Sequence, residues 1–193
     1  GLNALLIFKM LIILTTASIL YIIALKKGNI FWVTIFSLLS VTIFSMRFSV
    51  LPELFSYLFI ALFILIIEKY KQSKKAYLLF ILPVLEILWV NMHIYFILGI
   101  TIYGFFFLEQ TIKHKKIQTK LLLIGAFIVL ATLLNPSFIK GALLPFTFSS
   151  NYGFNVEENN SPLTILEPTS TNSNIAYTLV LQIITFELLI ILL

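Results

Sequence analysis

The chain has 193 residues, 60% of them hydrophobic and only 11% charged, with 19 Phe, and its mean hydropathy of +1.06 lies far outside the range of a soluble globular domain. The net charge of +5 does not argue for a nucleic-acid partner, because the lysines sit in short loops between apolar runs, where anionic headgroups and membrane topology account for them. There is no Cys, which excludes a disulfide framework, a thiolate metal site and a Cys nucleophile, and no Asp, so each carboxylate side chain is one of eight Glu.

Lipid is therefore the expected solvent, and membrane lipids the expected surroundings. A run of about 20 apolar residues spans the ~30 Å hydrocarbon core as a helix, since every backbone N–H and C=O must be bonded internally there. The first run, about 3–25, is too long for a cleaved signal peptide and lacks a basic leader and a small-residue cleavage pattern, so it reads as a span. Lys26, Lys27 and Gly28 close it. Further helices are expected at about 29–46, 52–70, 76–91, 93–110, 119–135 and 175–193. The result is an all-α, polytopic transmembrane bundle of about seven spans, forming a single transmembrane domain over 1–193. The chain begins at Gly1 and stops within an apolar run, so a longer parent protein is expected.

The connections alternate in character. Lys26 and Lys27, the segment Glu68 to Lys75, and Lys113 to Lys120 are basic. All but Lys9, Arg47 and Lys140 of the thirteen basic residues fall there, so the positive-inside rule puts these turns on the cytoplasmic side. The turns near Arg47 and Asn91, and the segment 135–174, then lie outside, as does the N-terminus, which requires an upstream span or loop. Trp89 to Tyr95 holds almost no loop residues. Either a very tight turn joins two spans there, or a broken helix dips into the membrane, which is tolerated only inside protein or beside a water-filled cavity. In the segment 135–174, PSFIKGALLPFTF has the character of a short interfacial helix, and the stretch after Ser149 is rich in Asn, Ser, Thr and Pro and reads as loop.

Candidate chemical groups gather on the expected outer side. Arg47, the only Arg, is suited to a phosphate or carboxylate at a headgroup surface, or else snorkels to the interface. His93, two residues after Asn91, could bind a lipid phosphate, ligate a metal, transfer a proton, or simply hold a structural hydrogen bond. No second His stands at ligand spacing, and His114 lies in a basic inner loop. Lys9 could neutralise a diphosphate or snorkel outward. Glu86 and Glu187 fall within spans, where carboxylates are costly and read as functional unless a partner helix satisfies them; Glu86 would lie on the floor of an outer cavity. Glu157, Glu158 and Glu167 are loop carboxylates that an outer metal or phosphate-transfer site would draw on. Asn159 to Ser161 fits a glycosylation sequon followed by Pro162. There is no Gly-rich phosphate loop, nucleotide fingerprint, Ser-His-acid set or paired-His motif, so an ATP-driven or classical hydrolytic enzyme has no support.

Three segments carry a resemblance. MRFSVLPELFSYLF supplies Arg47, Pro52 and Leu54 to Tyr57; WVNMHIYFILG supplies Trp89, Asn91, His93, Phe96, Leu98 and Gly99; and LLNPSF supplies Leu134, Asn135 and Pro136. In order and spacing, over roughly 1–168, they resemble prokaryotic polytopic membrane proteins related to the GT-C glycosyltransferases. Two departures stand out: Pro52 is not directly preceded by Arg, and Ile94 follows His93 where Gly is common. The resemblance implies a transferase that takes a sugar from a polyprenyl-phosphate-linked donor on the outer face of a prokaryotic plasma membrane. It implies a catalytic acid in a first outer loop, expected ahead of Gly1, often acting with a divalent metal such as Mg or Mn. Substrate contacts would be Lys9 and Arg47 on phosphate, Asn91 and His93 in the cavity, and Glu157 or Glu158 from the outer loop. A transporter or flippase for lipid-linked saccharides, and a non-catalytic membrane scaffold, are the alternatives.

Overall fold

The structure is a computed structural model that describes residues 2–45 and 53–151. Arg47, Glu157, Glu158, Glu167, Glu187 and the expected helix at 175–193 lie outside the described residues. Among the described residues there is no strand; the elements are α1 (Leu2–Leu25), α2 (Ile30–Ser45), α3 (Glu53–Ser73), α4 (Ile81–Val90), α5 (Ile97–His114), α6 (Thr119–Ala131), α7 (Phe138–Ala142) and α8 (Leu144–Asn151). The helices expected at 3–25, 29–46, 52–70, 76–91, 93–110 and 119–135 all appear, with local modifications that have clear causes.

A 3-10 turn, Ala76–Phe80, precedes α4, because Pro83 has no N–H and its ring opposes the carbonyl four residues back. A second, Ile94–Phe96, opens α5. The carbonyl of Trp89 accepts from both Met92 N (2.9 Å) and His93 N (3.0 Å), and His93 is fully extended at φ −157°, ψ 147°. Trp89 to Tyr95 is thus a tight turn. The single interfacial helix expected after Asn135 is instead two short ones, α7 and α8. Pro145, in the first turn of α8, suits a helix start but cannot extend the helix before it.

Two helical segments, Asn3–Leu25 and Ile94–His114, are long and apolar enough to cross a membrane, and Ala76–Val90 and Thr119–Ala131 are shorter apolar helices. Their surface is inverted relative to a water-soluble protein. Phe105 and Ile112 are 70% and 75% exposed, while Ser56, Glu86 and Gln110 are buried at 0%, 0% and 3%. Such wide apolar exposure suits lipid and would be an aggregation hazard in water.

The chain divides into two compact units, Gly1–Leu20 with Val50–Ser150 and Tyr21–Ser49 with Asn151–Leu193. In the second, the end of α1 turns into α2 through a bond from Gly28 N to Ala24 O (2.9 Å). A Cβ on Gly28 would sit 3.0 Å from Val33, so the turn is close-packed. Tyr21 and Thr34 join their hydroxyls at 3.1 Å, and Asn29 Oδ1 accepts from Phe31 N at 2.9 Å, capping α2.

In the first unit, α3 and α6 each pack against both α4 and α5. The core holds Phe59, Phe63, Tyr70, Leu82, Trp89, Phe106, Ile124 and Ile128. Phe59 stacks on Trp89 at 5.4 Å and Phe63 meets it edge-on at 5.7 Å, while further along α3 Tyr70 meets Phe106 at 5.7 Å. Hence α3 and α5 run in one direction. Phe80 with Phe127 and Asn91 with Leu134 set α4 and α6 running the other way. One end of the unit therefore gathers Glu53, Ser56, Asn91, His93 and Asn135, and the opposite end gathers the lysines from Lys69 to Lys75 and Lys113 to Lys120.

Candidate functional site

The polar end is built around a hydroxyl. Ser56, at the end of the first turn of α3 and fully buried, accepts a hydrogen bond from Trp89 Nε1 at 2.9 Å and lies 3.0 Å from His93 Nδ1. An indole nitrogen only donates. With that donor on Oγ, the Ser56 proton is free to point at His93, which then accepts at Nδ1 and carries its own proton on Nε2. That direction goes with the neutral Nε2–H tautomer, whereas an Nδ1–H tautomer would donate to the second lone pair of the Ser56 oxygen. Burial depresses the His93 pKa, favouring the neutral form, with Glu53 pulling weakly the other way. The ring is steadied edge-on by Tyr95, with centroids 4.5 Å apart. A neutral imidazole so held presents an N–H donor of fixed direction, suited to a phosphate or sugar oxygen.

Asn91 and Asn135 are largely committed to the fold. Asn91 Nδ2 donates to Ile87 O at 2.7 Å and to Leu134 O at 2.9 Å, tying the end of α4 to the end of α6. Both of its N–H groups are used, so its carbonyl oxygen is what a ligand could reach. Asn135 is buried and organises the corner after α6. Its Nδ2 donates to Thr132 O (2.8 Å) and Phe138 O (2.9 Å), and its Oδ1 accepts from Ser137 N at 2.8 Å. Gly141 packs so closely on this amide that any Cβ there would collide with it. Lys9 is half-buried on α1, and the neighbouring Phe8 meets Phe55 with centroids 6.0 Å apart, which puts Lys9 at the level of the first turns of α3.

Glu86 is not open to an outer cavity. It is completely buried, and neither carboxylate oxygen has a hydrogen-bond partner among the described residues. It lies against Gly99, where a Cβ would collide with its Oε2 and come within 3.1 Å of Phe63. A glycine at 99 is what makes room for the carboxyl group inside the helix packing.

Among the described residues no group of three or more His, Asp, Glu or Cys converges to hold a metal ion. Among the described residues the polar end offers Glu53 and His93 for that purpose, too few to fit a divalent ion, and no step below is routed through one. Of the six substrate-contact candidates, Lys9, Asn91 and His93 fall at one end of the first unit, while Arg47, Glu157 and Glu158 lie outside the described residues. Sequence reasoning gave Ser56 no role beyond the Leu54 to Tyr57 run. Its signal was a serine set in the largely apolar stretch from Leu54 to Ile67, where a buried hydroxyl has to find a partner. Compared with family models, curated proteins and solved structures, the chain matches none.

Proposed function

We propose that this chain belongs to a polytopic prokaryotic membrane glycosyltransferase of the GT-C kind, which uses a polyprenyl-phosphate-linked sugar at the outer membrane face. In this reading the seven spans cross the plasma membrane with the basic connections inside. The observation that carries it is the meeting of the three motif segments. Leu54 to Tyr57, Trp89 to Gly99 and Leu134 to Pro136 are widely separated in sequence, yet they join at one end through the Trp89, Ser56 and His93 bonds and the Asn91 to Leu134 bond.

In the reaction, His93 donates from Nε2 to a donor oxygen, Lys9 and Arg47 neutralise phosphate, and the aromatic packing beneath excludes water. The acid that activates the acceptor comes from outside the described residues. The test uses the intact protein in liposomes with radiolabelled polyprenyl-phosphate sugars. Transfer that falls at least tenfold in Arg47→Ala and in His93→Ala, with the helical fold retained, supports the reading; unchanged turnover in both variants, or no transfer from any such donor, overturns it.

One observation favours a second reading, a transporter or flippase for lipid-linked saccharides. Among the described residues Glu86 is a carboxyl group without a partner, within an apolar helix, the kind of group that serves proton-coupled carriers. Movement of a labelled lipid-linked saccharide across the bilayer without sugar transfer, lost in Glu86→Gln, would establish that reading in place of the first.

A further inference from the structure

The lysine-rich end holds a cavity of about 400 Å³, lined by Tyr70, Lys74, Gln110, His114, Lys116 and Gln118. It is framed by the ends of α3 and α5 and the start of α6, wholly within the first unit and at the opposite end from His93. Basic residues after helix C-termini are ordinary, since they offset the negative ends of the helix dipoles. Three observations go beyond that.

First, the carboxylates of this end are engaged elsewhere. Lys71 takes Glu109 at 2.6 Å and Glu68 at 3.7 Å, and Lys74, His114 and Lys116 form no ion pair among the described residues. Second, Gln110 is 97% buried, being only 3% exposed, lines the cavity, and makes no hydrogen bond among the described residues. Its amide is not among the sealed, unpartnered polar groups of the core; what opening it has is onto this cavity, so a group bound there can take the hydrogen bonds that water otherwise supplies. Third, the N-cap of α6 is Gln118, which makes no side-chain cap bond, so the first-turn amides and positive dipole end of the helix stand beside the same space. Lys74 is held at the rim with φ +57°, its ammonium 5.9 Å from the Tyr70 ring.

We propose that this cavity binds a phosphate group bearing a hydroxylated substituent, with Lys74, Lys116 and His114 on the phosphate and Gln110, Gln118 and the Tyr70 hydroxyl on the substituent. Cation donors alone would suit any anion. The buried amide adds a paired donor and acceptor that a hydroxyl satisfies and a bare halide does not. The volume lies within the range of small-ligand sites. Such a phosphate comes either from an anionic lipid headgroup or from a soluble phosphorylated polyol.

The probes are short-chain phosphatidylglycerol, glycerol 3-phosphate and phosphatidylcholine of the same chain length, each titrated into the full chain in a neutral detergent and followed by ³¹P NMR. Saturable binding of phosphatidylglycerol or glycerol 3-phosphate is expected, with phosphatidylcholine at least tenfold weaker. Preference for the lipid identifies a headgroup site, and equal binding identifies the glycerophosphate group itself. Lys74→Gln with Lys116→Gln should weaken binding about tenfold. Gln110→Leu, which leaves the charge unchanged, should weaken it severalfold. Lys140→Gln, on α7 at the opposite end of the same unit, removes a lysine charge without touching the cavity lining and should leave binding intact. An equal loss in that control, an unaffected Gln110→Leu variant, or no binding of either glycerophosphate probe would overturn the proposal.

Discussion

Replacing Ser56 by Ala removes one oxygen and strands two partners at different depths. Trp89 is 0% exposed, so its Nε1–H loses its acceptor at 2.9 Å with no water to replace it, at a cost of about 1–3 kcal/mol. His93 is half-buried, and water at the polar end can satisfy Nδ1 at little cost. Side-chain hydrogen bonds measured inside lipid average only about 0.6 kcal/mol, because the unfolded chain in the membrane also finds partners. The indole has that option, which puts the expected loss in the lower half of the range, about 1–2 kcal/mol. Equilibrium unfolding in mixed micelles, followed by Trp fluorescence, measures it. The second readout is the ¹⁵N spectrum of the imidazoles, of which there are two. In the native chain the His93 Nδ1 signal should be that of an unprotonated, hydrogen-bonded nitrogen, and Ser56→Ala should populate the other tautomer. A stability loss below about 0.5 kcal/mol together with unchanged His93 shifts would refute the relay.

Because burial lowers the folded His93 pKa, the unfolded chain binds more protons between the folded value and the ordinary value near 6.5. The stabilisation is therefore complete above that ordinary value and is lost as pH falls through it toward the folded one; pH-dependent unfolding of wild type against His93→Gln checks this, and a wild-type profile flat from pH 7.5 to 5 would contradict it. Gly99→Ala should destabilise the chain by about 1–3 kcal/mol through overpacking, since the new methyl meets the buried Glu86 carboxyl group and Phe63. Gly104→Ala, where a Cβ meets nothing within 4 Å, should be neutral or stabilising by up to about 1 kcal/mol; thermal unfolding of the pair in detergent separates the two, and equal effects would sink the packing argument.

Much of the architecture is legible along the chain. Apolar runs of helical length, broken by Lys26 and Lys27, by Lys69 to Lys75 and by Lys113 to Lys120, mark the helices and their ends, because hydropathy is a local property, and two of those helices are long and apolar enough to cross a membrane. The separation of a lysine end from an Asn and His end follows from the alternation of those turns, and the packing of α3 to α6 keeps it. Pro83 and Pro145 carry their local breaks in the sequence too, through the missing N–H.

What only the tertiary structure decides is which polar groups meet. That depends on the rotation of each helix about its axis and on the register between helices, neither of which a nearly uniform apolar sequence encodes. Ser56 becomes the hub between Trp89 and His93 because α3 turns that face toward α4. Asn91 and Asn135, read from sequence as cavity groups or motif marks, turn out to spend their amides on Leu134, Thr132 and Phe138. Glu86, expected on a cavity floor, is enclosed because Gly99 leaves it a space. Gln110 passes unnoticed in the sequence, yet packing encloses it and leaves it lining one cavity with Lys74 and Lys116. Where the described helices expose so many apolar side chains, helix contacts choose where the few polar atoms converge.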